Sequence, residues 1–194
     1  MAVSTRLETA RLVIRTFEPS DADAWLAMLA DPEVRRFLPG QPAPAMADFQ
    51  RAIEGRHAME RDGGYAMWAV DEKATGAFVG QCGLRPVDSM QPAGTAQPPP
   101  AAGASREFDL AYHFTRACWN KGYASEAVIA VLTHGLGPLG LECIIAVAMP
   151  GNTGSWRVME KAGMRYQGLA DYYGLDGLKK YTAEPDWWRP PTTT

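Results

Sequence analysis

Trp119-Asn120-Lys121-Gly122-Tyr123-Ala124-Ser125-Glu126 decides how the rest of the chain is read. It joins an alternating segment to a helical one. Upstream, Phe108, Leu110, Tyr112 and Phe114 share one face of a strand predicted over 107–114, and Glu107, Asp109 and His113 share the other. Downstream, Ala127, Val128, Val131 and Leu132 form the stripe of a helix predicted over 124–136. Gly122 and the small Ala124 allow a tight strand-to-helix turn whose backbone N–H groups point outward together. The helix start adds unpaired donors and partial positive charge, so such a turn can cradle a pyrophosphate. The residues alone fit a plain glycine-containing turn equally well. They exclude a P-loop, because Lys121 precedes its glycine and no Gly-Lys-Ser/Thr follows. A literal GxGxxG at Gly135, Gly137 and Gly140 lies after a helix and before a strand, the reverse of a dinucleotide fingerprint.

Working outward, residues 11–17 read as a strand. Ser20, with Asp23 as capping box, is expected to cap a first helix whose face carries Ala22, Trp25, Leu26 and Leu29, with Asp31-Pro32 and Pro39-Gly40 marking its exit. A second helix is predicted from Ala45 to Glu60, ended by Asp62-Gly63-Gly64. Strands 65–71 and 77–85 form an antiparallel hairpin. Residues 88–105, rich in proline and alanine, read as a surface insertion. The apolar run 141–149 reads as a strand buried on both faces. A helix follows from Asn152 to Ala162, and two last strands, 165–173 and 178–184, are joined by Asp176-Gly177. The order is β-α-α-β-β-β-α-β-α-β-β, a mixed α/β or α+β sheet in a single domain spanning 1–194, with a tail over 187–194.

Composition narrows the classes. With 194 residues, 46% hydrophobic and 21% charged, the chain is globular in composition. It is large enough to bury roughly 70% of its unfolded surface without metal or disulfide support. Its net charge of −3 disfavours nucleic acid as a partner. Cys82, Cys118 and Cys143 form no CxxC pair and read as reduced cytosolic thiols. No apolar run reaches the ~18 residues of a membrane span. Expectations are a cytoplasmic protein with no membrane and no metal. Trp187-Trp188 pack on the sheet or on a second subunit, which makes a homodimer an option.

A second motif completes the picture. Asn152-Thr153-Gly154-Ser155 opens a helix that runs to Glu160-Lys161-Ala162-Gly163, and Thr9-Ala10-Arg11-Leu12-Val13-Ile14-Arg15 opens the first strand. Together with Trp-x-Lys-Gly-Tyr-Ala-x-Glu-Ala these segments resemble the GNAT superfamily of acyl-CoA-dependent N-acetyltransferases, and within it the ribosomal-protein N-terminal acetyltransferase-like branch. The resemblance covers about residues 8–184.

The resemblance implies a central, mixed, mostly antiparallel sheet that splays into a V, flanked by about four helices, with acetyl-CoA in the gap. It implies that backbone groups of Phe114 and Thr115 hold the pantetheine arm and the acetyl carbonyl. The stretch Asn120, Lys121, Gly122, Tyr123, Ala124 and Ser125 would hold the pyrophosphate, and Asn152 would touch the pantetheine. Ser155 would protonate the departing thiolate. Attack of an amine on a thioester also needs a base. Asp109 and Glu107 are the candidates, with His113 on the same strand face. The expected acceptor is a primary amine, on a small molecule or a peptide N-terminus, attacking directly in a ternary complex. A non-catalytic acyl-CoA sensor is the alternative. The basic residues Arg11, Arg15, Arg35 and Arg36 read as a solvated face, and Cys118 as a packed thiol.

Overall fold

The computed structural model describes residues 4–38, 44–87 and 107–191. The expected proline- and alanine-rich insertion and the Pro39-Gly40 exit lie outside these residues. Eight strands form one sheet in the order β1-β2-β3-β4-β5-β6-β8-β7. They are β1 (Arg6–Glu8), β2 (Leu12–Arg15), β3 (Met67–Glu72), β4 (Phe78–Pro86), β5 (Phe108–Phe114), β6 (Ile144–Ala148), β7 (Arg165–Tyr172) and β8 (Leu175–Ala183). Five α-helices accompany them among the described residues: α1 (Ala22–Ala30), α2 (Pro32–Arg35), α3 (Met46–Gly63), α4 (Tyr123–Leu136) and α5 (Thr153–Lys161). The sheet is antiparallel except at β5–β6.

The helices cover both faces. One face of the sheet meets α4, whose Ala127, Val128, Val131 and Leu132 are fully buried against Leu12, Trp68, Leu84 and Leu110. On the other, Trp25 and Met28 of α1 and Phe49 and Ile53 of α3 pack on Phe17 and Ala69. The alternation expected along 108–114 is present: Leu110 and Phe114 enter the α4 core with Tyr112 packed against it, and His113 and Asp109 sit opposite Gln81 and Arg85 on the other face.

Three local expectations are corrected. Ser20 does not cap the first helix. Pro19 starts a 3-10 turn, Pro19–Asp21, and the Glu18 N–H donates to Asp21 Oδ2 at 2.8 Å. The last hairpin turns at Tyr173-Gly174, both at positive φ, and not at Asp176-Gly177. Burial of Tyr172 and Leu178 with Ile145 and Val87 sets that register. Arg11 and Arg15 are not a free basic face: Arg15 bonds Asp21 and Asp71, and Arg11 bonds Glu126. Trp188 is buried within its own chain, where its Nε1–H donates to the Ala162 carbonyl at 2.9 Å.

Candidate active site

The parallel pair β5–β6 is joined only at Phe108–Ile144 and Asp109–Ile145. Beyond Asp109 the strands part. The Thr115 N–H donates to Val79 O at 3.0 Å, and the Val87 N–H donates to Glu107 O at 3.1 Å. By the alternation of an antiparallel ladder, odd-numbered residues of β5 therefore bond β4 and even-numbered ones face the opening. The groups that line the gap are those of Tyr112 and Phe114. The Phe114 carbonyl is taken by the Trp119 Nε1–H at 2.9 Å, which leaves its N–H. Thr115, expected to join Phe114 here, has both backbone groups committed: its N–H to Val79 and its carbonyl to Cys118 N–H.

At the end of β5 the chain turns through Asn120 and Gly122, with φ of 61° and 82°, into α4. No side chain caps this helix, and its first intrahelical bond runs from Glu126 N–H to Gly122 O. The N–H groups of Tyr123, Ala124 and Ser125 precede that bond, and a helix start of this kind suits an anion. The loop is clamped from the turn between β1 and β2. Arg11 donates to Glu126 through its backbone N–H (2.8 Å) and Nε (2.7 Å) and to the Lys121 carbonyl through Nη1 (2.8 Å), and Thr9 Oγ1 donates to Glu126 at 2.6 Å. Burial opposes ionisation of Glu126, but these bonds together hold it below the usual carboxylate range. The Thr-x-Arg phrase thus braces the cradle, a role its sequence does not reveal.

Ser155 stands on the first turn of α5, across the gap. Asn152 caps this helix by accepting the Ser155 N–H at 3.2 Å, so the Asn152 carboxamide keeps its NH2 for other partners. The Tyr112 hydroxyl donates to the Ser155 carbonyl at 2.8 Å and lies 2.9 Å from Ser155 Oγ. Burial raises the Tyr112 pKa and keeps the phenol protonated. Periodicity placed Tyr112 on the core face and concealed this contact.

The β4–β5 face opposite α4 carries a second polar group. Asp109 is buried, and Arg85 donates to its Oδ2 through Nη2 (2.9 Å) and Nε (3.1 Å). Glu107 lies apart, accepting from Lys180 Nζ (2.6 Å) and the Tyr172 hydroxyl (2.9 Å). Gln81 Oε1 accepts from Trp25 Nε1 (2.8 Å) and Arg56 Nη2 (3.0 Å), and its Nε2 lies 3.0 Å from His113 Nδ1. Burial, then the charges of Arg85 and Arg56, push the His113 pKa down to about 4, so the ring is neutral at pH 7. On this face the one pair between Gln81–His113 and Arg85–Asp109 is Gly83–Ala111. Past His113 the face opens into a surface cavity of about 530 Å³ lined by Met28, Asp31, Val34, Phe78, Thr115 and Arg116.

The described residues thus bring together a gap with open strand-edge groups, an uncapped helix start and the Ser155 side chain. The Acetyltransferase (GNAT) domain family model matches residues 11–165. This chain belongs to the GNAT acetyltransferase family. It is 28% identical over 167 residues to the uncharacterized N-acetyltransferase p20 of Bacillus licheniformis, with 86% of each chain covered. A GNAT-family acetyltransferase from Bacillus anthracis superposes with a TM-score of 0.72 at 25% identity, over 94% of this chain and 100% of that one. Mycobacterium smegmatis RimJ, solved in complex with CoA-disulfide, shares the fold with a TM-score of 0.71 at 21% identity, over 94% of this chain and 87% of that one. As a GNAT acetyltransferase the chain is an acyl-transfer enzyme. Among the described residues no cluster of metal-ligating side chains occurs, and no helix is long and apolar enough to cross a membrane.

Proposed function

We propose that this acetyltransferase moves an acetyl group from acetyl-CoA to a primary amine by direct attack in a ternary complex in the cytoplasm. The observation that carries the reading is the gap beyond Asp109 and Ile145. It offers the backbone groups of Tyr112 and Phe114 to a linear amide-bearing arm, and the open start of α4 lies at its mouth. Bound acetyl-CoA would place its pyrophosphate on the Asn120–Ser125 turn and its pantetheine amides along Tyr112, Phe114 and the Asn152 carboxamide.

The chemistry of the chain's own groups follows. The amine nitrogen attacks the thioester carbonyl carbon. Charge then develops on the carbonyl oxygen, where a β5 backbone N–H stabilises it. The C–S bond breaks, and Ser155 Oγ gives its proton to the leaving thiolate. Solvent returns that proton to Ser155, which the Tyr112 hydroxyl orients from 2.9 Å away. Asp109 takes the ammonium proton through water. Both Arg85 bonds fall on its Oδ2. Glu107, tied to Lys180 and Tyr172, is the second candidate base.

Thermal shift with acetyl-CoA, CoA and ATP, followed by free-thiol release over an amine and peptide panel, tests this. Stabilisation by both CoA species and amine-dependent thiol release are expected. Binding without turnover on any amine would leave the sensor reading. No CoA-dependent shift would remove both.

A further inference from the structure

Two guanidinium groups, Arg85 of β4 and Arg56 of α3, stand over the β4–β5 floor beside a single carboxylate, Asp109. Asp109 is committed to Arg85. Among the described residues Arg56 makes no salt bridge: it donates Nη2 to Gln81 and stacks 4.2 Å over the Phe17 ring, and its Nη1 is buried with no hydrogen-bond partner. Desolvation and the nearby Arg85 pull its pKa down to about 10, which still leaves it cationic at pH 7. A buried cation with a spare donor lacks its anion.

The hydrogen-bond chain also sets the His113 tautomer. Trp25 Nε1 and Arg56 Nη2 can only donate, so both mark Oε1 as the carbonyl end of Gln81. The amide end must then donate to His113 Nδ1, and the ring proton sits on Nε2. His113 is thereby a hydrogen-bond donor and not the base its sequence position suggests.

We propose that Arg56 and His113 form an anion subsite on the acceptor side of the sheet, and that the acceptor is a small amino carboxylate. Its carboxylate meets His113 Nε2–H and Arg56 Nη1–H, a donor that the free protein buries and that ligand entry must uncover, and its amine lies over Ala111. This rests on the acetyltransferase reading of the neighbouring gap. Two donors match two carboxylate oxygens, whereas a tetrahedral anion would keep a third oxygen bare. Along β5, Ala111 is two residues from both His113 and Asp109, about 7 Å each way. A short amino acid therefore spans from the anion subsite to the thioester with Asp109 still in reach. Diamines and polyamines are excluded by the uncompensated charge of Arg56.

The test compares glycine, L-serine, L-methionine and L-glutamate with their α-carboxamides, together with aminomethylphosphonate and putrescine. Thiol release and thermal shift in the presence of CoA are both read. The expected result is a kcat/KM at least about tenfold higher for each carboxylate than for its amide. Arg56→Met should bring that ratio to within about threefold of unity, and Arg56→Lys should keep part of it. Equal use of amides, preference for putrescine, or a ratio that survives Arg56→Met overturns the subsite. Preference for the phosphonate overturns the carboxylate assignment. If CoA neither binds nor is released, the acetyltransferase reading of the gap fails separately. The subsite is then decided by stabilisation of the wild-type chain, but not Arg56→Met, by the free amino acids, and lack of that stabilisation overturns it.

Discussion

Tyr112 reaches across the gap between β5 and α5 to place its hydroxyl 2.9 Å from Ser155 Oγ. Because that hydroxyl donates its proton to the Ser155 carbonyl, the Ser155 hydroxyl is the donor in the Oγ contact. When a thiolate forms nearby, the Ser155 hydroxyl can turn its proton from Tyr112 to the sulfur. Ser155→Ala should lower kcat by about 10²-fold, the usual scale of a lost acid, and Tyr112→Phe by about tenfold. The acetyl-CoA KM should stay within about threefold in both. Steady-state thiol release measures this, and an unchanged kcat in Ser155→Ala takes the serine out of the mechanism.

Gly122 adopts a left-handed conformation at the start of α4, and a Cβ there would lie 3.3 Å from Arg11 Nη2. Gly122→Val should therefore act twice. Strain at a β-branched residue should cost about 1–3 kcal/mol of stability, read by urea denaturation. Displacement of Arg11 and crowding of the cradle should raise the acetyl-CoA KM by at least about tenfold. An unchanged KM would refute the cradle assignment.

The Arg11–Glu126 clamp predicts a separate signature. Glu126→Gln should weaken acetyl-CoA binding several-fold with little change in acceptor KM. It should also change acid sensitivity. Glu126 ionises below its ordinary 4.5 in the folded chain, so its contribution is complete above about pH 4.5 and is lost as pH falls through the lower folded value. The variant should show a flatter loss of stability in that acid range, measured by denaturation midpoints.

His113 acts at higher pH. Its folded value of about 4 lies below the ordinary 6.5, so protonation favours the unfolded chain. Stability should be full above about pH 6.5 and should decline toward pH 4 by up to about 3 kcal/mol. His113→Asn keeps an acceptor for Gln81 and should remove this slope. If wild type and variant fall in parallel between pH 6.5 and 4, His113 is not the titrating group.

The legible parts of this chain were those whose signal is local. Alternation along 108–114 and the stripe of Ala127, Val128, Val131 and Leu132 report burial directly, and both elements form as read. The Asn152 cap is equally local. What escaped depends on partners far along the chain. Asp109 reads as a surface charge until Arg85, on the neighbouring strand and 24 residues away, is brought beside it. Glu126 reads as an ordinary helix residue until Thr9 and Arg11 converge on it from the turn before β2. Asp176-Gly177 is a strong turn signal by itself, yet tertiary burial of Tyr172 and Leu178 outweighs it.

Unpaired strand edges are a hazard because they recruit strands from other molecules, and proteins usually blunt them with charge, proline or a covering helix. The stretch of β5 beyond Asp109 has such an edge in the interior of the sheet. The diverging β6 and the start of α5 wall it in, so a second chain cannot lie alongside it. Only a slender molecule entering lengthwise can satisfy it. The open edge of β5 is thereby kept from pairing with a strand of another molecule, and blunting is left to the outer strands β1 and β7.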